Sequence, residues 1–363
     1  MKVIISAGGT GGHIYPALAI INKIKKMEKN TEILYIGTTD RMEHTLIPSL
    51  NIPYIGIEMK GLNRKNPFKN ILVLNSFKKA IKKCKEVMKE FKPDIVLGIG
   101  GYITSPVILA AHSLKIKTFI HEQNLIPGLS NKLLNRYADK IGVSLPSSIN
   151  YFDRKKVIFT GNPRSEEVLD AIPVDKKKYG LSDKKKLVLI VMGSLGSMTV
   201  NKKMQEVLPK FNKKDYEILF VTGKNYYEDY KKIKVPSNVK IVPYLDDMLS
   251  VMKKTDLIVT RAGASTIAEI TAIGLPSIFI PSPYVTHNHQ EKNASVLVEK
   301  NASKMIKEKD FTSDLLLQTI DSILENEKEY KEMQKNSSEL GVKDSATKIY
   351  HIIKDLVGEK KHG

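Results

Sequence analysis

At 363 residues, with 42% hydrophobic and 27% charged residues, the chain has length for about two domains with separate cores, and it has no apolar run of the roughly 18 residues that a membrane-crossing helix needs. The short apolar stretch 3–7 runs straight into glycines, unlike a secretory signal, so the mature protein is expected to start near Met1; the single cysteine, Cys84, precludes an internal disulfide or a cysteine metal cluster. A net charge of +19 suits an anionic partner, whether nucleic acid, membrane surface or substrate, and equally a plain lysine-rich surface.

In chain order, β-branched runs at 2–6, 32–36, 94–97 and 117–121 predict strands, and helical periodicity over 14–28 and 68–91 separates them. The turn-forming cluster Thr160-Gly161-Asn162-Pro163 closes this half. The same rhythm restarts with strands at 187–191, 217–221, 239–242, 257–260 and 277–280. A last helical stretch, 343–357, carries Ala346, Ile349, Ile352, Ile353 and Leu356 on one pattern. No short-period repeat is present, which excludes solenoids and propellers. The expected architecture is α/β: two doubly wound units, 1–162 and 163–340, with a C-terminal helix in 341–363 packing back on the first.

The chemistry-bearing motifs fall at strand ends. Gly8-Gly9-Thr10-Gly11-Gly12-His13 joins the first strand to the first helix, where glycines admit close backbone approach and free N–H groups face an oxyanion. It is neither the dinucleotide fingerprint nor the lysine-ended phosphate loop, and a plain tight turn is the alternative. His13, with Pro16 following, is placed to present a near-neutral base at the sheet edge, or else to cap its own helix. Gly98 to Pro106 and His121 to Gly128 repeat the design after the next strands, and polar groups at consecutive strand ends converge on a ligand crevice.

In the second half, Gly193-Ser194-Leu195-Gly196-Ser197 suits a diphosphate, held by backbone amides and the Ser194 hydroxyl. Arg164 offers a further cation, or a surface salt bridge. Thr260 to Glu269 joins another strand to a helix; Glu269 suits the vicinal hydroxyls of a ribose, or is an ordinary acid favoured by the helix dipole. His287-Asn288-His289-Gln290 carries imidazoles and amides suited to sugar hydroxyls. The chain has no Asp-x-Asp and no three well-spaced ligands, so no metal is expected.

Taken together, Gly8 to His13, Gly98 to Pro106, His121 to Asn131, Gly161 to Pro163, Gly193 to Asn201 and Arg261 to Asn293 resemble the MurG family over nearly the whole chain. These are the UDP-N-acetylglucosamine:undecaprenyl-pyrophosphoryl-muramoyl-pentapeptide N-acetylglucosaminyltransferases of peptidoglycan synthesis. The resemblance implies a GT-B fold, two Rossmann-like domains facing a central cleft. It implies inverting transfer from UDP-GlcNAc to the C4 hydroxyl of undecaprenyl-pyrophosphoryl-MurNAc-pentapeptide without cofactor or catalytic metal. It also implies peripheral attachment to the cytoplasmic face of the cell membrane, with other cell-wall synthesis proteins as candidate partners.

Carried over residue by residue, the resemblance places donor contacts at Thr10, Gly11, Gly12, Asn124, Ser194, the backbone near Leu245, Ala264, Ser265, Thr266, Ile267, Ala268, Glu269 and Gln290. Arg164 is added to the donor side, although the family's arginine usually comes one residue later after Gly-Asn-Pro, and Met198 stands where many members carry arginine. His13, Gly101 and Tyr102 fall on the acceptor side. The base is His13, with Glu122 as second candidate. Because the later motifs take the UDP, the first glycine loop is expected to face the reaction centre and the acceptor's own diphosphate.

Between Lys60 and Lys92 eleven Lys/Arg stand against Glu86 and Glu90, interleaved with Phe68, Ile71, Leu72, Leu74, Phe77 and Ile81. This suits an anionic membrane surface, or a solvated amphipathic helix packed on the sheet. A related transferase acting on another lipid, such as a diacylglycerol, shares the donor motifs. A nucleic-acid-binding protein does not explain them, and the chain has no Trp and no nucleic-acid recognition motif, so no nucleic acid is expected.

Overall fold

The strand-forming runs are apolar along their length rather than in alternation, as in KVIISA and KLVLIV, and such strands need cover on both faces. The computed structural model, which describes residues 1–59, 70–193, 196–285 and 288–359, gathers them into two parallel sheets in two units. Unit 1 is Met1–Arg164 with Asp344–Gly363; unit 2 is Ser165–Lys343.

Unit 1 runs β1 (Lys2–Ala7), α1 (Gly11–Met27), β2 (Glu32–Thr38), α2 (Met42–Ser49), β3 (Tyr54–Ile57), α3 (Asn70–Phe91), β4 (Ile95–Gly100), α4 (Thr104–Ser113), β5 (Lys117–Glu122), α5 (Leu129–Leu134), β6 (Lys140–Val143) and β7 (Val157–Phe159). After α6 (Arg164–Asp170), unit 2 continues β8 (Lys186–Val191), α7 (Met198–Val207), β9 (Tyr216–Val221), α8 (Tyr227–Tyr230), β10 (Val239–Val242), α9 (Met248–Met252), β11 (Leu257–Thr260), α10 (Ala264–Ile273), β12 (Ser277–Phe279), α11 (His289–Val298), β13 (Lys304–Met305), α12 (Ser313–Glu325) and α13 (Glu327–Leu340). The chain ends in α14 (Ser345–Glu359).

The first sheet has strand order β3-β2-β1-β4-β5-β6-β7, the second β10-β9-β8-β11-β12-β13. In each, the order reverses beside the unit's first strand, between β1 and β4 and between β8 and β11. At such a reversal the loops leaving neighbouring strands diverge to opposite faces and open a crevice at the carboxyl edge. Both sheets are covered on two sides by separate apolar clusters. In unit 1, Ile14, Ile21 and Ile24 of α1 pack with Ile349, Ile353 and Leu356 of α14 on one face. On the other, Ala80, Cys84, Val87 and Met88 of α3 pack with Val107 and Ile108 of α4. Cys84 is thus a core residue, and burial pushes its thiol up to about 12. Helix α14 is also tied to α1 at the surface, where Glu28 accepts from the Tyr350 hydroxyl at 3.1 Å and from Lys354.

Several element ends differ from the sequence reading, and two of them bear on the site. Strand β4 continues to Gly100: Gly98 pairs with Ser6 of β1 and Ile120 of β5, and after a register shift that skips Ile99, Gly100 pairs with Ala7 of β1. Helix α1 starts at Gly11 instead of residue 14, which makes His13 its third residue and Pro16 its sixth. Proline there has no N–H for the Gly12 carbonyl one turn back, so the first turn is open at that point.

Candidate functional site

At the reversal point of unit 1 two glycine loops interlock. The Gly8 N–H donates to the Gly100 carbonyl at 3.1 Å, and Thr104 closes the second loop with its Oγ1 and N–H on the Gly101 carbonyl at 2.7 and 3.3 Å. Gly101 has φ +90 and its α-carbon lies so close to the Gly8 carbonyl that a Cβ would overlap it. Gly100, at φ +128, lies against the His13 ring in the same way. Glycine is required at both, by conformation and by contact.

His13 Nδ1 lies 3.1 Å from the Gly8 carbonyl oxygen. A carbonyl only accepts, so Nδ1 carries the proton in the neutral ring and Nε2 carries the lone pair. The half-buried ring therefore has a defined tautomer, with Nε2 as its basic nitrogen and the ring packed against Gly100 of the second loop. Beyond it on α1, Tyr15 packs against Gly11, and the Arg164 guanidinium lies 5.4 Å from the Tyr15 ring centre. Arg164 thus belongs with the first glycine loop in unit 1, and its N–H donates to Asn162 Oδ1 at 3.1 Å. Tyr102, just past Gly101, donates to the Met59 carbonyl at 3.5 Å and hydrogen-bonds Arg41, which raises the guanidinium further.

The next strand end is a closed network. His121 is fully buried: its Nε2 lies 3.0 Å from the Gly161 carbonyl and its Nδ1 accepts from Gln123 Nε2 at 3.1 Å. Burial holds this ring neutral, lowering it from 6.5 to about 4 against the opposing pull of the Gly161 carbonyl. Glu122 is buried too, and four donors reach its two oxygens: Asn124 N–H and Nδ2 at 2.9 and 3.2 Å on Oε1, Gly128 N–H and Asn131 Nδ2 at 3.0 and 2.9 Å on Oε2. Asn124 is held from its other side by Ser148, whose hydroxyl donates to the Asn124 carbonyl at 3.1 Å.

In unit 2, Ser197 caps α7 by accepting from the Val200 N–H at 3.4 Å. Arg261, just past β11, donates to Ser197 Oγ at 2.7 Å, donates to the Ile280 carbonyl at 2.7 Å, and pairs with buried Glu308 at 2.5 Å. One buried guanidinium thus ties together three segments leaving the carboxyl edge. Beside it α10 starts at Ala264 after Gly263, with no side-chain cap on its first amides. Ala264, Ser265, Thr266, Ile267 and Ala268 open the helix, and Glu269 follows as its sixth residue, 7% exposed. Gln290 on α11 accepts the Ser282 N–H through Oε1 at 2.8 Å. Leu245 is buried in the core of unit 2.

The structure therefore groups Thr10, Gly11, Gly12, His13, Gly101, Tyr102, Glu122, Asn124 and Arg164 in unit 1, and Leu245, Ala264 to Glu269 and Gln290 in unit 2. Ser194 and His287 lie outside the described residues, as do residues 60–69 of the basic segment. Sequence reasoning passed over Glu43, which is buried beneath the first glycine loop, and the anchoring role of Arg261.

Residues 3–143 match the glycosyltransferase family 28 N-terminal domain, and residues 187–349 match the glycosyltransferase family 28 C-terminal domain. The chain is 44% identical, over 98% of its own length and all of the relative's, to the UDP-N-acetylglucosamine--N-acetylmuramyl-(pentapeptide) pyrophosphoryl-undecaprenol N-acetylglucosamine transferase of Bacillus cytotoxicus. It is 45% identical, with the same coverage, to transferase 1 of the same description from Bacillus cereus. Among solved structures, MurG of Acinetobacter baumannii superimposes with a TM-score of 0.77 at 28% identity, covering 98% of this chain and 99% of that one.

Proposed function

Since the chain belongs to the MurG family of glycosyltransferase family 28, with its GT-B fold, we propose that it transfers N-acetylglucosamine from UDP-GlcNAc to the lipid-linked muramyl-pentapeptide acceptor that its relatives' names describe. The observation that carries the mechanism is the His13 tautomer: Nδ1–H on the Gly8 carbonyl, which leaves Nε2 as the basic nitrogen of the ring.

In this reading the C4 hydroxyl of the muramoyl sugar attacks C1 of N-acetylglucosamine. The C4–O–C1 bond forms as the bond from C1 to the UDP oxygen breaks, the configuration at C1 inverts, and the hydroxyl proton passes to His13 Nε2. Unit 2 holds the UDP: the uncapped α10 amides and Ser194 take phosphate or sugar oxygens, Glu269 takes the ribose hydroxyls, and Gln290 takes a sugar hydroxyl. Unit 1 takes the acceptor, with Gly11, Gly12 and Thr10 at the diphosphates, Arg164 as their counter-charge, and Gly101 and Tyr102 beside the sugar. Glu122, with four donors on its carboxylate, serves to shape the 122–131 loop that presents Asn124.

No described helix is long and apolar enough to cross a membrane. We place the protein at the cytoplasmic face as a peripheral protein, among other cell-wall synthesis proteins. Along α3, Lys78, Lys79, Lys82, Lys83 and Lys89 are exposed and Leu74 is 55% exposed, while Phe77 and Ile81 pack partly on the core. The basic face rather than the apolar one then carries the attraction, about 1 kcal/mol per Lys near an anionic leaflet. Flotation with liposomes of increasing anionic lipid content should bring increasing amounts of protein to the top; flotation indifferent to lipid charge would refute this attachment. For the reaction, labelled UDP-GlcNAc offered with the lipid-linked muramyl-pentapeptide or with diacylglycerol should label the first and leave the second unlabelled. Labelling of diacylglycerol alone would replace the acceptor.

A further inference from the structure

Glu43 has no part in the reaction as described, yet it is buried to 0% exposure beneath the first glycine loop. Its Oε2 accepts from the Gly9 N–H at 3.1 Å, and its Oε1 from the Thr38 N–H and hydroxyl at 3.2 and 2.8 Å. The fold makes room for it: a Cβ on Gly8 would overlap Oε1, and a Cβ on Gly37 would lie 2.7 Å from the Glu43 Cγ. The Gly9 N–H and the Gly8 carbonyl are the two ends of one peptide group, and in a trans peptide they point in opposite directions. That carbonyl is the acceptor of His13 Nδ1. A continuous line of hydrogen bonds thus runs from the Glu43 carboxylate through the Gly8–Gly9 peptide to the imidazole.

We propose that Glu43 is a positioning residue for His13, acting through this peptide to fix the Nδ1–H tautomer and to stabilise the imidazolium formed when Nε2 takes the acceptor's proton. A negative charge at the N–H end draws electron density toward the carbonyl oxygen. Bonds in such chains strengthen one another by about 10–30% each. The arrangement does the work of a carboxylate bonded directly to a histidine, with one peptide group inserted. The other ionisable groups around it are Tyr35 of β2 and Tyr54 of β3, both kept as neutral phenols by burial and then by the Glu43 charge, Asp40 and Arg41 before α2, His44 of α2 against the Tyr54 ring, Tyr102 after β4, and Arg164 over Tyr15.

The inference rests on His13 being the base, and the test separates the two. Nitrogen-15 NMR of ring-labelled protein, with His13 assigned from its loss in His13→Ala, reads tautomer and titration without turnover. In the wild type the neutral His13 ring should be the Nδ1–H form. Glu43→Gln keeps shape and removes charge, so His13 should titrate at lower pH, since the imidazolium loses a stabilising charge. The acid limb of the pH–rate profile should follow it downward. The kcat should fall by about 10- to 100-fold, the size of loss seen when the outer partner of a metal-bound histidine is removed, with KM for UDP-GlcNAc unchanged. A wild-type Nε2–H ring, or a Glu43→Gln protein whose His13 titration and acid limb coincide with the wild type, overturns the proposal. Normal turnover by His13→Ala would instead remove the base assignment, and the ring titrations would still decide the relay.

Discussion

In both units the first strand runs through a glycine turn into a helix at the point where the strand order reverses, yet the two turns are anchored by opposite charges. Beneath the turn after β1 lies a carboxylate, Glu43, which accepts the Gly9 N–H. Behind the turn after β8 lies a guanidinium, Arg261, which donates to the Ser197 hydroxyl and is neutralised by Glu308. A carboxylate withdraws an amide from any ligand and passes polarisation on to what that peptide's carbonyl holds, here His13. A guanidinium has no acceptor and so binds none of a turn's N–H groups itself. In the proposed function the turn after β1 serves proton transfer and the turn after β8 diphosphate binding.

The comparison can be broken most sharply at His13. Replacing it by alanine should lower kcat by about 10² to 10⁴ while UDP affinity, measured by calorimetry, stays as in the wild type; a parallel loss of UDP affinity would mean that the two turns share one task. Next is Arg261→Met, which leaves Glu308 buried without its partner and should cost about 3–5 kcal/mol in denaturant unfolding of unit 2, together with weaker UDP binding. A cost under about 1 kcal/mol would show that the ion pair adds little beyond packing.

A pH effect of similar size sets His13 apart from His121 within unit 1. The His121 ring is held at about 4 in the fold against 6.5 when free, so the unfolded chain binds this proton first and stability falls as pH drops from 6.5 towards 4. The loss approaches about 3 kcal/mol at the acid end and is absent above pH 7. Urea unfolding of His121→Gln should flatten that slope; an unchanged slope would place the acid sensitivity elsewhere. The smallest effect is expected for Ser197→Ala, about 1 kcal/mol for the lost α7 cap, read from the same urea curves with kcat unchanged when UDP-GlcNAc is saturating.

The central strands were legible because a parallel strand covered on both faces must be apolar throughout, as in β4 and β8. The short strands β3, β7 and β13 carry no such signal, since at two to four half-buried residues their pairing is set by the neighbours they dock on. The glycine loops were legible as strand-to-helix turns. Their anchors were not. Glu43, in the first turn of α2, reads as an acid favoured by a helix dipole, and only the packing of α2 under a loop 34 positions earlier buries it. Glu122 stood as the second candidate base through the family resemblance, and the four donors on its carboxylate, from residues up to nine positions on, are not visible in the sequence.

The most direct test of this account is the rate at which wild-type and His13→Ala proteins transfer N-acetylglucosamine from UDP-GlcNAc to the lipid-linked muramyl-pentapeptide, with both substrates saturating. The wild type should give a β-1,4-linked product, and the variant should be slower by at least about 10². No transfer to that acceptor by folded wild-type protein, or a variant as fast as the wild type, would contradict it.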